Sequence, residues 1–372
     1  METYQLKSKL VENDRELLIR TRNDARAGAI SSEVWVNGKL TESVAHPHLG
    51  EIGSEEVVSI LKQIHGEKKK EIESMMEVFR SSLVDGHSEY LTHLGTAFFY
   101  KNYLLEAREL FSKAIERDSE CHQAFNYLGQ TELAMGQTEK AVDMLRKAVR
   151  QRPAFADYRN LLGVAIHAQG DIDRATSELE KAIGLNLYYA DAYFNLGLVL
   201  LDKAQQTDTD SLSEKVSKVV DCFKKALLIH PDYDSVMFEQ AILAVSNSNF
   251  SKAFELFSRI RQSKREKLRR EFTDFHMKFA LDPKLISADT LQERIKFLEQ
   301  QVKKNPTYVD FHADLSRCYL ELSCKLWEKG VIQYGKTAEL NLSLGKTEFC
   351  HEEAEKELMS IRASLDRMTE KG

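Results

Sequence analysis

The chain has 372 residues, of which 30% are charged and 42% hydrophobic, and its formal net charge is −6. That balance belongs to a folded, water-exposed protein, and the acidic total gives no overall drive toward nucleic acid or an anionic membrane. No apolar run approaches the ~20 residues of a membrane-spanning helix, METYQLKSKL has no signal-peptide core, and five dispersed cysteines read as reduced thiols, so the expected setting is cytoplasmic.

Residues 1–50 are expected to form a small antiparallel β-meander. Tyr4, Leu6, Ser8 and Leu10 alternate with Gln5, Lys7 and Lys9, the two-residue period of a strand. After the Asn13-Asp14 turn, Leu17-Leu18-Ile19 begins a second strand, and Ile30, Ser32, Val34 and Val36 share one face of a third. Asn37-Gly38 is a strong hairpin signal before a fourth strand over Leu40 to Val44. So small a sheet is barely stable alone. Residues 51–87 offer a cover: Ser54, Glu55 and Glu56 open a helix that carries Ile60, Leu61, Ile64, Ile72, Met75, Met76 and Phe79. Its middle, Lys68-Lys69-Lys70 between Glu67 and Glu71, reads as a solvated face.

Residues 88–265 repeat themselves. Gly95, Gly129, Gly163 and Gly197 recur at intervals of 34, each directly after a leucine. Ala107, Ala141 and Ala175 keep the same phase, as do Phe111, Leu145 and Leu179, then Ala114, Ala148 and Ala182. Each period reads as a helical hairpin, with Gly136 and Gly170 as helix stops and Asp171 as an N-cap. A mid-helix glycine costs roughly 0.5–1 kcal/mol relative to alanine, so four in one register need a reason, and close approach of neighbouring helix backbones is the expected one. Helices of about 12–15 residues are marginal alone; stacked hairpins bury a continuous core. The fourth repeat opens in phase with Tyr193, Leu196 and Leu200, but its second helix (Val219, Phe223, Ala226) comes ten residues late, behind an insertion near 203–214. A fifth, weaker repeat has Ala241 in place of the glycine and keeps Ala253 and Phe257. Residues 266–372 read as degenerate helical repeats ending in a polar cap from Arg362.

On these residues the chain resembles the tetratricopeptide repeat family, whose motif has this period and this order of small and large positions. The resemblance implies a mainly α fold, a right-handed α-solenoid of helical hairpins, behind the N-terminal meander. It also implies a non-enzymatic scaffold or adaptor that holds a peptide or helix of another protein in a groove lined by the first helix of each hairpin. Carried onto this sequence, the groove positions are Thr92, His93, Thr96 and Phe99; Asn126, Tyr127, Gln130 and Leu133; Asn160, Leu161, Val164 and His167; and Phe194, Asn195, Leu198 and Leu201. The lining is uncharged: amides suit a peptide backbone and aromatics suit apolar side chains. A clamp for a chaperone's acidic C-terminus needs lysines and an arginine here, and these positions hold none.

No cofactor, metal or catalytic set is expected. Gly345-Lys346-Thr347 is the tail of a phosphate loop whose first glycine is replaced by Leu340. His46, His48 and Glu51 lack a scaffold for a metal, Cys318 and Cys324 diverge on a helix, and no nucleophile, base and acid fall together. Two other readings compete. Arg259, Arg261, Lys264, Arg265, Lys267, Arg269 and Arg270 form a basic stripe that would grip phosphates of nucleic acid, although a solvated helix is the plainer account. Alternatively, the N-terminal sheet is a ligand-binding module that the repeats merely present.

Overall fold

The computed structural model describes residues 4–12, 15–24, 29–47, 54–206, 212–230, 233, 235–281, 288–304, 309–340, 356, 359 and 360. The fold is mainly α with a small N-terminal antiparallel sheet. It divides into two compact units, residues 1–151 with 266–281, and residues 152–265 with 282–372.

In the first unit, β1 (Gln5–Glu12), β2 (Arg15–Asp24), β3 (Ala29–Val36) and β4 (Lys39–Pro47) pair in the order β1-β2-β3-β4. Asn37 and Gly38 take φ values of 49° and 77°, the left-handed pair that a two-residue hairpin turn requires. The register Leu17↔Val36, Ile19↔Val34 and Thr21↔Ser32 puts one alternating set on one face. That face packs on α1 (Ser54–Asp85), and the core continues into α2 (Ser88–Tyr100), α3 (Leu104–Arg117) and α4 (His122–Ala134). Leu17, Ile19 and Val34 meet Ile72, Met75, Met76 and Phe79, which meet Leu94, Phe98 and Phe111 in one cluster. Burial of each such side chain contributes about 1.5–3 kcal/mol, the cover that a lone sheet lacks. α5 (Thr138–Gln151) completes the second hairpin.

The middle of α1 corrects an expectation. Lys68 is not solvated: its ammonium is buried, pairs with Glu42 of β4, and lies 2.8 Å from Glu71. Lys101, after α2, reaches Glu71 at 2.5 Å and Glu42 at 3.3 Å. Burial opposes the charge on Lys68, but the two carboxylates outweigh it and hold the ammonium above its ordinary range. The triplet reads as a surface because helix periodicity alone does not show that β4 brings a carboxylate over it.

The second unit holds α6 (Ala156–Ala168), α7 (Ile172–Leu185), α8 (Ala190–Gln206), α9 (Leu212–Ile229), α10 (Val236–Ser246), the start of α11 (Phe250–Leu281), α12 (Ala288–Lys304) and α13 (Val309–Leu340). Its core joins Phe194, Phe223, Phe238 and Phe257, with the Phe223 and Phe257 rings stacked at 3.5 Å. The expected insertion loop at 207–210, the phosphate-loop tail, His48 and Glu51 lie outside the described residues.

Two devices recur among the hairpins, each in four of them. The register glycines make room for a side chain of their own hairpin's second helix and, at Gly129 and Gly163, also for that helix's backbone, whose carbonyl oxygens at Ala141 and Ala175 would lie 3.2 Å from a β-carbon. A β-carbon on Gly95 would meet Phe111 at 2.7 Å, one on Gly129 Leu145 at 2.6 Å, one on Gly163 Leu179 at 2.7 Å, and one on Gly197 Phe223 at 2.8 Å. The turn between helices recurs in the hairpins α2–α3, α4–α5, α6–α7 and α10–α11. Asn102, Gly136, Gly170 and Ser248 have φ of 71°, 77°, 88° and 58°. Just beyond each, a backbone N–H closes a six-residue ring: Tyr103 to Phe98 (2.9 Å), Gln137 to Glu132 (2.8 Å), Asp171 to Ile166 (3.3 Å) and Asn249 to Ala244 (2.8 Å). That is the Schellman ending of a helix.

Candidate functional site

The candidate surface is the face of the first helix in each hairpin. In the first unit these helices are α2 and α4. Thr92 and Thr96 are buried and donate to the carbonyls of Ser88 and Thr92, each at 2.8 Å. Asn126 is buried as well, and its Oδ1 has no hydrogen-bond partner among the described residues. His93, Phe99, Tyr127, Gln130 and Leu133 are half-buried. Phe99 and Tyr127 approach at 6.3 Å, and Tyr127 stacks on Phe111 at 5.6 Å, so the aromatic pair is anchored on the core while one side stays open.

In the second unit the helices are α6, α8 and α10. Asn160 and Asn195 are buried and engaged with one another: Asn195 Nδ2 donates to Asn160 Oδ1 at 2.9 Å, and Asn160 Nδ2 donates to Tyr189 Oη at 3.2 Å. A peptide backbone would have to displace those bonds to use either amide. Leu161, Val164 and His167 are half-buried, and His167 Nε2 lies 2.9 Å from Asp202. Leu198 is fully buried in the core with Phe194 and Leu201, so it cannot line a free surface. The same register position is half-buried at Gln130 and Val164 and buried at Thr96; here Tyr233, Phe238 and Val245 of the following hairpin share its cluster.

One contact recurs. The residue three before the register glycine touches the residue that enters the next hairpin. Thr92 Oγ1 lies 3.5 Å from Cys121 Sγ, Asn160 bonds Tyr189, and Phe194 stacks on Tyr233 at 4.6 Å. These positions belong partly to repeat stacking, which a motif lining cannot distinguish from ligand contact.

The basic stripe is partly committed. Lys264 Nζ lies 2.6 Å from Asp191 and 3.0 Å from Tyr233 Oη, and also sits 4.1 Å over the Tyr233 ring. Burial pushes the Asp191 carboxyl upward, yet Lys264 and the Tyr233 hydroxyl outweigh it and hold it below its ordinary range. Arg259 pairs with Glu255 at 2.6 Å, and Arg265 is exposed. The side chains of Lys267, Arg269 and Arg270 lie outside the described residues. Among the described residues, no group of His, Cys, Asp and Glu is arranged to hold a metal ion, and no helix is long and apolar enough to cross a membrane.

A model of the tetratricopeptide repeat family matches residues 128–185. No curated protein matches the chain. Among solved structures it is similar to MamA, with 23% identity over 49% of this chain and 96% of that one, at a TM-score of 0.36. It is similar to YrrB, a TPR protein with an unusual peptide-binding site, with 20% identity over 50% of this chain and 90% of that one, at 0.33. It is also similar to TTC0263, a thermophilic TPR protein in Thermus thermophilus, with 18% identity over 63% of this chain and 99% of that one, at 0.35.

Proposed function

We propose that this chain, in which residues 128–185 match the tetratricopeptide repeat family, is a non-enzymatic adaptor whose first-helix faces, within each unit, hold a segment of another protein. The residues assigned to contact are His93, Phe99, Tyr127 and Gln130 in the first unit, and Leu161, Val164 and His167 in the second. One observation carries the reading: these side chains keep a half-open, uncharged surface in repeat register, while the residues around them are buried. Open aromatics backed by a rigid core suit apolar anchors of a peptide or amphipathic helix. The buried Thr92, Thr96, Asn126, Asn160, Asn195 and Leu198 then act by packing. Nucleic acid is a weaker partner in this reading, since Lys264 and Arg259 already face carboxylates. The adaptor is assigned to the cytoplasm, and the N-terminal sheet to stability of the first unit, with which it shares a core.

Site-specific photo-crosslinking tests it. A benzophenone side chain at position 130 is expected to capture a discrete partner in cells. The same group at position 143, exposed on the second helix of that hairpin, is expected to capture none of it. Equal capture at both positions sinks the assignment, and a salt-sensitive nucleic-acid adduct would move it to the basic stripe.

A further inference from the structure

Among the described residues the N-terminal sheet has two unpaired edges, and they are built differently. The order β1-β2-β3-β4 leaves β1 and β4 each paired on one side only. An edge strand offers backbone N–H and C=O groups to any strand that can align with it. β1 is guarded against its own kind. Lys7 and Lys9 are exposed at its middle, and antiparallel pairing of β1 with itself about Lys7, Ser8 or Lys9 sets lysine against lysine each time.

β4 has no such guard. Between Leu40 and Ala45 the one charged side chain is Glu42, and its carboxylate is drawn inward to Lys68 and Lys101. Leu40 is 42% exposed, Val44 37%, and Ser43 and Ala45 are exposed as well. Val44 lies opposite the buried Ser32, so it points to the face that α1 covers. α1 packs on β1, β2 and β3, and the core takes Leu17 and Ile19 from β2 and Val34 from β3. At β4 that cover thins, and an aliphatic side chain on the core face is left partly in water.

We propose that β4 pairs antiparallel with β4 of a second copy of this chain, centred on Val44, so that two four-stranded sheets become one. Charge and burial choose the register. About Val44, the valine meets its own copy, Ser43 meets Ala45 and Glu42 meets His46, with no like charges opposed. About Glu42, two carboxylates would face each other; about Ser43, each Val44 would face a Glu42. A two-fold axis through Val44, perpendicular to the sheet, puts both α1 helices on one face and encloses the valine pair in the gap between them. Such a contact uses the same patch on both copies and closes at two, unlike a head-to-tail stack of β1 on β4.

Sedimentation of the full chain tests this. Wild type is expected to run as a reversible dimer at micromolar concentration. Val44→Lys sets two ammonium groups against each other at the axis and should weaken the association by at least about 10-fold, with the far-UV circular dichroism of wild type retained. Val44→Cys would face its copy across a strand spacing that a disulfide spans. Oxidised glutathione should therefore convert it to a covalent dimer above the wild-type background, while Lys9→Cys on the other edge should not cross-link. A wild-type chain that stays monomeric as concentration rises overturns the proposal and leaves the edge to a strand of another protein. A dimer that Val44→Lys does not weaken, or that cross-links equally at Lys9→Cys, overturns it too and moves the contact elsewhere on the chain. Should Val44→Lys unfold, Val44→Cys decides: cross-linking supports the pairing and its absence refutes it.

Discussion

Replacing Gly163 with alanine is the sharpest test of how the hairpins are built. A β-carbon there would lie 2.7 Å from Leu179 Cγ and 3.2 Å from the Ala175 carbonyl oxygen, against an optimum of about 3.5–4.0 Å between carbon atoms. Leu179 is fully buried, and Cγ is its branch point, so relief requires moving both methyl groups or the helix. Overpacking of this kind costs about 1–3 kcal/mol, and the better helix propensity of alanine returns about 0.5–1 kcal/mol. The expected net loss is therefore about 0–2.5 kcal/mol. Gly66 is the control: it is also inside a helix, and a β-carbon there meets nothing within 4 Å. Gly66→Ala should stabilise by about 0.5–1 kcal/mol. Urea titrations followed by far-UV circular dichroism read both as opposite shifts in midpoint. In a Leu179→Ala background the penalty at Gly163 should vanish, a coupling of about 1–3 kcal/mol. If Gly163→Ala stabilises as Gly66→Ala does, the reasoning about the glycine register is wrong.

Other outcomes follow from buried polar groups. Glu132 is buried, and among the described residues its Oε2 has no partner, at a register position held by Phe98 and Ile166 in the flanking repeats; Glu132→Ile should raise stability by about 1–3 kcal/mol in the same titration. Lys68→Met leaves Glu42 half-neutralised in a buried site and should cost about 2–3 kcal/mol, whereas Lys203→Ala, which breaks the exposed pair with Asp173, should stay within about 0.5 kcal/mol. His65 is buried between Ser8 (2.8 Å) and Thr21 (3.0 Å), and burial, with Lys69 nearby, holds its imidazole below the ordinary 6.5. The unfolded chain therefore takes the proton first, and this contribution is full above pH 6.5 and lost as pH falls from there through the depressed folded value. Thermal midpoints should drop over that interval, and His65→Gln should flatten the drop; an unchanged slope would remove His65 from the account.

The repeat was legible because its phase is carried by small residues with few alternatives. Gly95, Gly129, Gly163 and Gly197 declare the close contact without naming what fills it, which is why Phe111, Leu145, Leu179 and Phe223 came only with the structure. The sheet was legible from alternation and the Asn37-Gly38 turn. What periodicity could not show was pairing between distant segments. Lys68 meets Glu42 across 26 positions and Lys264 meets Asp191 across 73, and neither partner lies in the motif. Burial at groove positions was hidden for the same reason: Asn160 and Asn195 look like open amides until each is seen to need the other.

The handshake between consecutive hairpins takes a different form at three junctions: hydroxyl to thiol at Thr92 and Cys121, amide to phenol at Asn160 and Tyr189, ring to ring at Phe194 and Tyr233. The modules are therefore not spare parts. Transplanting the hairpin that starts at Ala190 one place earlier would set Phe194 where an amide is wanted, leaving the Tyr189 hydroxyl without its donor. Grafts, duplications and shuffled versions of this array must move junction residues together, and a deletion of one period joins two halves that were never matched.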